Sequence, residues 1–279
     1  MIKVDAHQHY WNPGRGDYGW MPKGDPVLDR TYGPADLAPA LAAAGIARTV
    51  LVQAAPTVEE TEYMLGLADA TPSVAAVAGW VDFEDRDHRE VLARLAGHPK
   101  FRGVRPMIQD IPDDDWMLRA DVQWGFETVE EFGLTFDMLG FPRHLPNALT
   151  ILKRYPDLRA VIDHCMKPQL RENSADGFRR WADGMARIAG ETGAFCKLSA
   201  LITEDGPGWS VDRLRPYADH VLKVFGPGRV MWGSDWPVCR LRAEYGAWHS
   251  AADELTVSLS EADRAQVFGG TAARFYGIA

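Results

Sequence analysis

Short apolar runs alternate along the chain with stripes of helical spacing, and the alternation repeats through eight units. The runs Ile2 to His9, Arg48 to Ala54, Val74 to Val81, Phe101 to Met107, Leu134 to Leu139, Leu158 to His164, Ala194 to Leu201 and Arg229 to Asp235 predict strands. Between them, Leu37 and Leu41 mark one face of a helix that Gly45 stops, and Thr57 with Glu60 forms a capping box for a helix through Ala68. Further helices are predicted around Val91 to Leu95, over Val122 to Phe132 and Pro142 to Tyr155, and along the stripe of Phe178, Trp181, Met185 and Ile188. The last two lie along Val211 to Phe225 and in the Leu241 to Leu255 region.

Strand-helix alternation implies parallel strands joined by helical crossovers, and the economical α/β solution is a closed (β/α)8 TIM-like barrel, with some distortion allowed. A single barrel domain over residues 1–279 is expected, with short terminal helices in 260–276 packing under or beside it. An open doubly wound sheet competes, but the Gly-rich phosphate turn that often marks its first unit is missing. Tyr10 to Asp29 has no period and is rich in Gly, Pro and aromatics; Trp11, Tyr18 and Trp20 favour an ordered lid or wall.

Composition narrows the function. The 279 residues are ordinary in apolar and charged content, so a real core is affordable. A net charge of −9 with no Lys/Arg cluster argues against nucleic acid and leaves a small molecule as the expected partner. Cys165, Cys196 and Cys239 lie in or beside apolar runs and are expected to be reduced thiols. With no secretory pattern at the start and no apolar run long enough for a bilayer, no membrane partner is expected and the cytoplasm is the expected location.

The polar residues near the strand ends are His7 and His9, Gln53, Asp82, Arg105, Asp137, His164, Lys197 and Asp235. A barrel gathers such ends around one mouth. His7 and His9 point the same way on a strand, and Asp235 ends the apolar run Val230 to Trp232. Together with His164, the three imidazoles and one carboxylate could hold one zinc or manganese ion with positions left open for water. The same set could work without metal, Asp235 taking a proton from water while the histidines and a cation polarise a carbonyl. No organic cofactor is expected.

Other residues keep two readings. Asp5 either orients a histidine or lies buried and satisfied by backbone. Arg105 and Lys197, costly on apolar strands, either pair with Asp82 or Asp137 or bind an anionic or hydroxyl-rich substrate, with Asp137 near them. Trp11, Trp80 and Trp236 are either stacking walls for a sugar ring or simple packing. Ser199 lacks a nucleophile elbow, and Cys165 faces away from His164, so neither a serine nor a cysteine hydrolase is expected.

Asp5 to Trp11 (DAHQHYW), Gly103 to Arg105 (GVR), Ile162 to Pro168 (IDHCMKP), Lys197 to Ser199 (KLS), Gly233 to Pro237 (GSDWP) and Gly269 to Tyr276 (GGTAARFY) resemble, in order and across the whole chain, the amidohydrolase-2 family. Within that family the likeness is to the sugar-lactone hydrolases, such as the L-fuconolactonases and L-rhamnonolactonases. The resemblance implies a distorted barrel that opens a lactone to a hydroxy acid. It implies Asp235 as the base for water, His7 and His9 as the first-strand pair, His164 as the later histidine and Arg105 directed at substrate. The superfamily's metal-bridging lysine or glutamate is absent, since Arg105 and Asp137 stand on the nearest strands, so a binuclear centre is not expected. One divalent ion is allowed by the resemblance and not required.

The sequence leaves three functions in competition: an aldonolactone hydrolase acting on a deoxy or six-carbon sugar; a metal-dependent decarboxylase or amide hydrolase on the same scaffold; and a catalytically silent barrel that senses a sugar acid.

Overall fold

The structure, a computed structural model, describes residues 2–278; Met1 and Ala279, the ends of the expected 1–279 domain, lie outside the described residues. Eight parallel strands run in chain order: β1 (Lys3–Gln8), β2 (Ile46–Val52), β3 (Val74–Gly79), β4 (Phe101–Val104), β5 (Thr135–Met138), β6 (Arg159–Ile162), β7 (Phe195–Leu198) and β8 (Val230–Trp232). The sheet closes where Gln8 bridges Trp236 in parallel, His9 N–H donates to Trp236 O at 2.7 Å and Asp235 N–H to His7 O at 2.8 Å. Gly233 permits this closure, because a Cβ there would lie 2.7 Å from His7 Cβ. The barrel, and not the open sheet, is the fold.

The helices are α1 (Pro34–Ala44), α2 (Val58–Ala70), α3 (His88–Ala96), α4 (Gln123–Glu131), α5 (Leu145–Arg154), α6 (Ala175–Glu191), α7 (Leu201–Asp205), α8 (Val211–Phe225), α9 (Tyr245–Leu255), α10 (Glu261–Ala265) and α11 (Thr271–Tyr276). Apolar periodicity does not mark α7, which is only five residues long. The capping box at α2 forms by half. Thr57 Oγ accepts from Glu60 N–H at 3.1 Å, but the Glu60 carboxylate turns instead to the amides of Ala54 and Ala55.

Two apolar layers hold the barrel. The outer one fills the space between strands and helices; the inner one stacks Val4, Ala6, Val50, Ala76, Val161 and Met231 inside the strands. Ala272, Phe275 and Tyr276 of α11 join the inner layer, so the terminal helix plugs the barrel from beneath. With the base filled in this way, the strands' carboxyl ends are left free to carry polar groups. The three cysteines are buried and unpaired. Among the described residues no helix is long and apolar enough to cross a membrane.

Candidate active site

Several predicted strands stop early, and the residues beyond the last ladder bond bend over the mouth. Arg105 directly follows β4, Asp163 and His164 follow β6, and Asp235 stands three residues past β8. His164, Cys165, Met166 and Lys167 all take positive φ between 46° and 57°, and Asp235 has φ 55°. Side chains with a Cβ rarely adopt this conformation, so a run of four is strain held by its surroundings. The tight left-handed turn brings His164 Nε2 to 3.8 Å from Asp235 Oδ1.

The other imidazoles meet at the same carboxylate. His9 Nε2 lies 3.3 Å and His7 Nε2 3.7 Å from Asp235 Oδ1, and the two Nε2 atoms are 3.2 Å apart. Behind this group, His9 Nδ1 faces Val52 O at 2.8 Å and His164 Nδ1 faces Ser199 Oγ at 2.8 Å. Asp5 lies beneath the mouth, where Oδ1 accepts from Ser234 N–H at 2.9 Å and His7 N–H at 3.2 Å, and Oδ2 from Tyr245 Oη at 3.1 Å. It staples the Asp235 loop to β1, and burial pushes its carboxyl up to about 6.

Burial and the adjoining Lys197 charge hold His7 well below the usual imidazole range; burial and the adjoining His7 do the same to His164. Both rings are therefore neutral. Lys197, fully buried, lies 2.5 Å from Asp137 Oδ2, 2.9 Å from Asp163 Oδ1 and 3.0 Å from His7 Nδ1. Burial opposes ionisation of both carboxyls. At Asp163 the charges of Lys197 and Arg105 outweigh it and the carboxyl sits low, whereas at Asp137 burial prevails and the carboxyl sits high.

A cavity of about 300 Å³ opens above these groups. His9, His164, Asp235, Arg105 and Trp11 form its wall, with Trp20, Gln109 and Lys167. Arg105 is gripped by Gln53, whose backbone and side-chain oxygens both accept from it, while its buried Nε has no partner. Its nearest carboxylate is Asp163 at 3.7 Å, so the pairing expected with Asp82 or Asp137 does not form.

Four expected substrate contacts are not on the wall. Lys197 and Asp137 sit within β7 and β5, one layer below, and have no exposed surface. Trp236 packs its ring against Tyr32 at 5.0 Å. Trp80 lines a different cavity of about 440 Å³ that shares Trp20, Met107 and Asp110 with the first. Asp163, Gln109 and Lys167 were given no role from sequence. Asp163 and Lys167 fall in the Ile162 to Pro168 stretch, but Gln109 sits in a single 3₁₀ turn, Ile108–Asp110, that no apolar period marks.

Residues 4–278 match the Amidohydrolase family. The chain is 43% identical over 281 residues to the L-fucono-1,5-lactonase of Burkholderia ambifaria, covering 99% of this chain and 96% of that protein. It is 35% identical over 292 residues to the L-fucono-1,5-lactonase of Burkholderia multivorans, with the same coverage. The crystal structure of an amidohydrolase from Burkholderia multivorans with bound zinc superposes with a TM-score of 0.93 at 35% identity, covering 100% of both chains. A whole-chain match of this kind, on a closed barrel with its histidines and aspartate gathered at one mouth, places the chain in the amidohydrolase family.

Proposed function

We propose that this chain hydrolyses a sugar lactone to its open-chain hydroxy acid, with Asp235 as the base. The observation that carries the reading is the meeting of three imidazole Nε2 atoms within 3.3 to 3.8 Å of one carboxylate oxygen. Water held against Asp235 Oδ1 gives up a proton as its oxygen bonds to the lactone carbonyl carbon. Negative charge then grows on the carbonyl oxygen. With the Ser199 hydroxyl donating to Nδ1, neutral His164 carries its hydrogen on Nε2 and offers it to that oxygen. Arg105, held by Gln53, adds a fixed cation at the same wall. When the tetrahedral carbon collapses, its bond to the ring oxygen breaks and the proton on Asp235 passes to that leaving oxygen. The product acid then ionises to solvent. Trp20, packed edge-on against the buried Trp11, bounds the cavity with an exposed face for a sugar ring.

The donor spacing also fits one divalent ion. Ligand bonds of about 2.0 to 2.1 Å in a tetrahedron leave ligands about 3.3 Å apart. His7 Nε2, His9 Nε2 and Asp235 Oδ1 are separated by 3.2 to 3.7 Å. A bound ion would polarise the carbonyl and acidify water. The bound zinc of the Burkholderia multivorans amidohydrolase supports zinc as the first metal to test.

The names of the two relatives make L-fucono-1,5-lactone the first substrate to try, within a panel of stereoisomeric aldonolactones. Acid release by chelator-treated and zinc-supplemented protein, followed with a pH indicator, tests the reading. Asp235→Asn is expected to lower kcat by about 10²- to 10⁴-fold with the fold retained. Turnover of no lactone under either condition, or an unchanged rate in the variant, refutes it.

A further inference from the structure

Lys197 performs no step in the reaction above, yet its position behind His7 has a chemical consequence. An ammonium group only donates hydrogen bonds. Its contact of 3.0 Å with His7 Nδ1 therefore requires the lone pair on that nitrogen, which leaves the ring's hydrogen on Nε2. His7 Nε2 points at His9 Nε2, 3.2 Å away. His9 Nδ1 lies 2.8 Å from Val52 O, which only accepts, so the His9 hydrogen is on Nδ1 and its Nε2 lone pair receives the His7 hydrogen. The donors run one way, from Lys197 through His7 and His9 to the backbone of β2.

We propose that Lys197 is a positioning residue that selects the tautomer of His7, and so decides whether the first-strand histidines work as a hydrogen-bond chain or as a metal clamp. To bind an ion through Nε2, His7 must carry its hydrogen on Nδ1 and give it to an acceptor. Asp163 Oδ1 is such an acceptor at 3.5 Å, in the carboxylate–histidine arrangement that supports metal ligands. Lys197 stands closer and cannot accept. Two second-layer groups thus compete for one nitrogen: the lysine favours the metal-free chain, the aspartate the metal-bound form. Asp163 meets Lys197 as an ion pair at 2.9 Å without an aligned hydrogen bond, so both of its oxygens retain capacity to accept. Spacing at the mouth admits an ion; the hydrogen on His7 opposes it.

The inference rests on His7 and His9 belonging to the site and is independent of which lactone is cleaved, so its test uses no turnover. Ring-nitrogen ¹⁵N spectra of metal-free protein, with the His7 signals identified by their loss in His7→Asn, are expected to show His7 protonated at Nε2. Lys197→Met removes the donor but strands two carboxylates, so the decisive variant is the charge-balanced pair Asp137→Asn with Lys197→Met. In that pair the His7 hydrogen is expected on Nδ1, and zinc, titrated against a chromophoric chelator, is expected to bind at least about tenfold more tightly. Wild-type His7 protonated at Nδ1 overturns the proposal, and that spectrum decides even if neither variant folds. An unchanged tautomer in the folded pair also overturns it. So does zinc that binds more tightly in Lys197→Met but not in the balanced pair, which is plain charge attraction.

Discussion

Glu60 offers a sharp test of the energetics that hold the cavity wall. Its side chain is buried and its oxygens accept from Ala54 N–H at 3.0 Å and Ala55 N–H at 2.8 Å. These amides belong to the loop after β2, where Ala54 lines the cavity and its carbonyl takes the Trp20 indole hydrogen at 2.6 Å. Burial pushes the Glu60 carboxyl up to about 7 from 4.5, more than the two amides pull it back. A carboxyl raised on folding is bound to its proton more tightly in the native state. Its contribution is complete below pH 4.5 and is lost as pH rises through about 7, a change worth about 3 kcal/mol. Glu60→Gln removes this dependence. It keeps one oxygen for the amides but sets an NH₂ group against Ala54 N–H, at a cost of about 1 kcal/mol. The variant is therefore expected to be less stable than wild type at pH 4.5 and more stable at pH 8.5, the difference moving by about 3 kcal/mol. Urea unfolding followed by tryptophan fluorescence across that range measures it. A difference that does not vary with pH refutes the argument.

Arg105→Lys loses the planar fork that Gln53 holds and is expected to lower kcat/KM by about 10- to 100-fold, chiefly through KM, in steady-state assays on the preferred lactone. Gly233→Ala places a Cβ 2.7 Å from His7 Cβ and 3.1 Å from His7 N; a stability loss of about 1 to 3 kcal/mol in urea unfolding is expected, with a larger proportional loss of kcat as His7 and Asp235 separate. Trp80→Ala alters only the adjoining cavity and is expected to leave small lactones turned over within about twofold, while KM rises for lactones bearing a bulky substituent that reaches it. Equal losses across a substituent series argue against that placement.

Much of this architecture was legible along the chain. The period of the apolar residues announced parallel strands and crossover helices, and the polar residues at the ends of those runs named His7, His9, His164 and Asp235 before any contact was known. Strand ends and helix faces are governed by near neighbours, whose pattern a sequence displays directly. Depth and direction are not. Arg105, His164 and Asp235 reach the mouth because their strands stop short, whereas Lys197 and Asp137, on runs of the same appearance, remain inside the barrel. The Glu60 carboxylate leaves its expected cap for two buried amides, Ala54 and Ala55, in the loop that leads into α2. Gln109 joins the wall from a turn without pattern. His9 meets Asp235 across 226 positions of chain, and His7 meets Lys197 across 190. The identity of the chemical groups was written in the sequence; which of them face one another, and which nitrogen carries the hydrogen, was decided only when barrel closure brought those distant residues into contact.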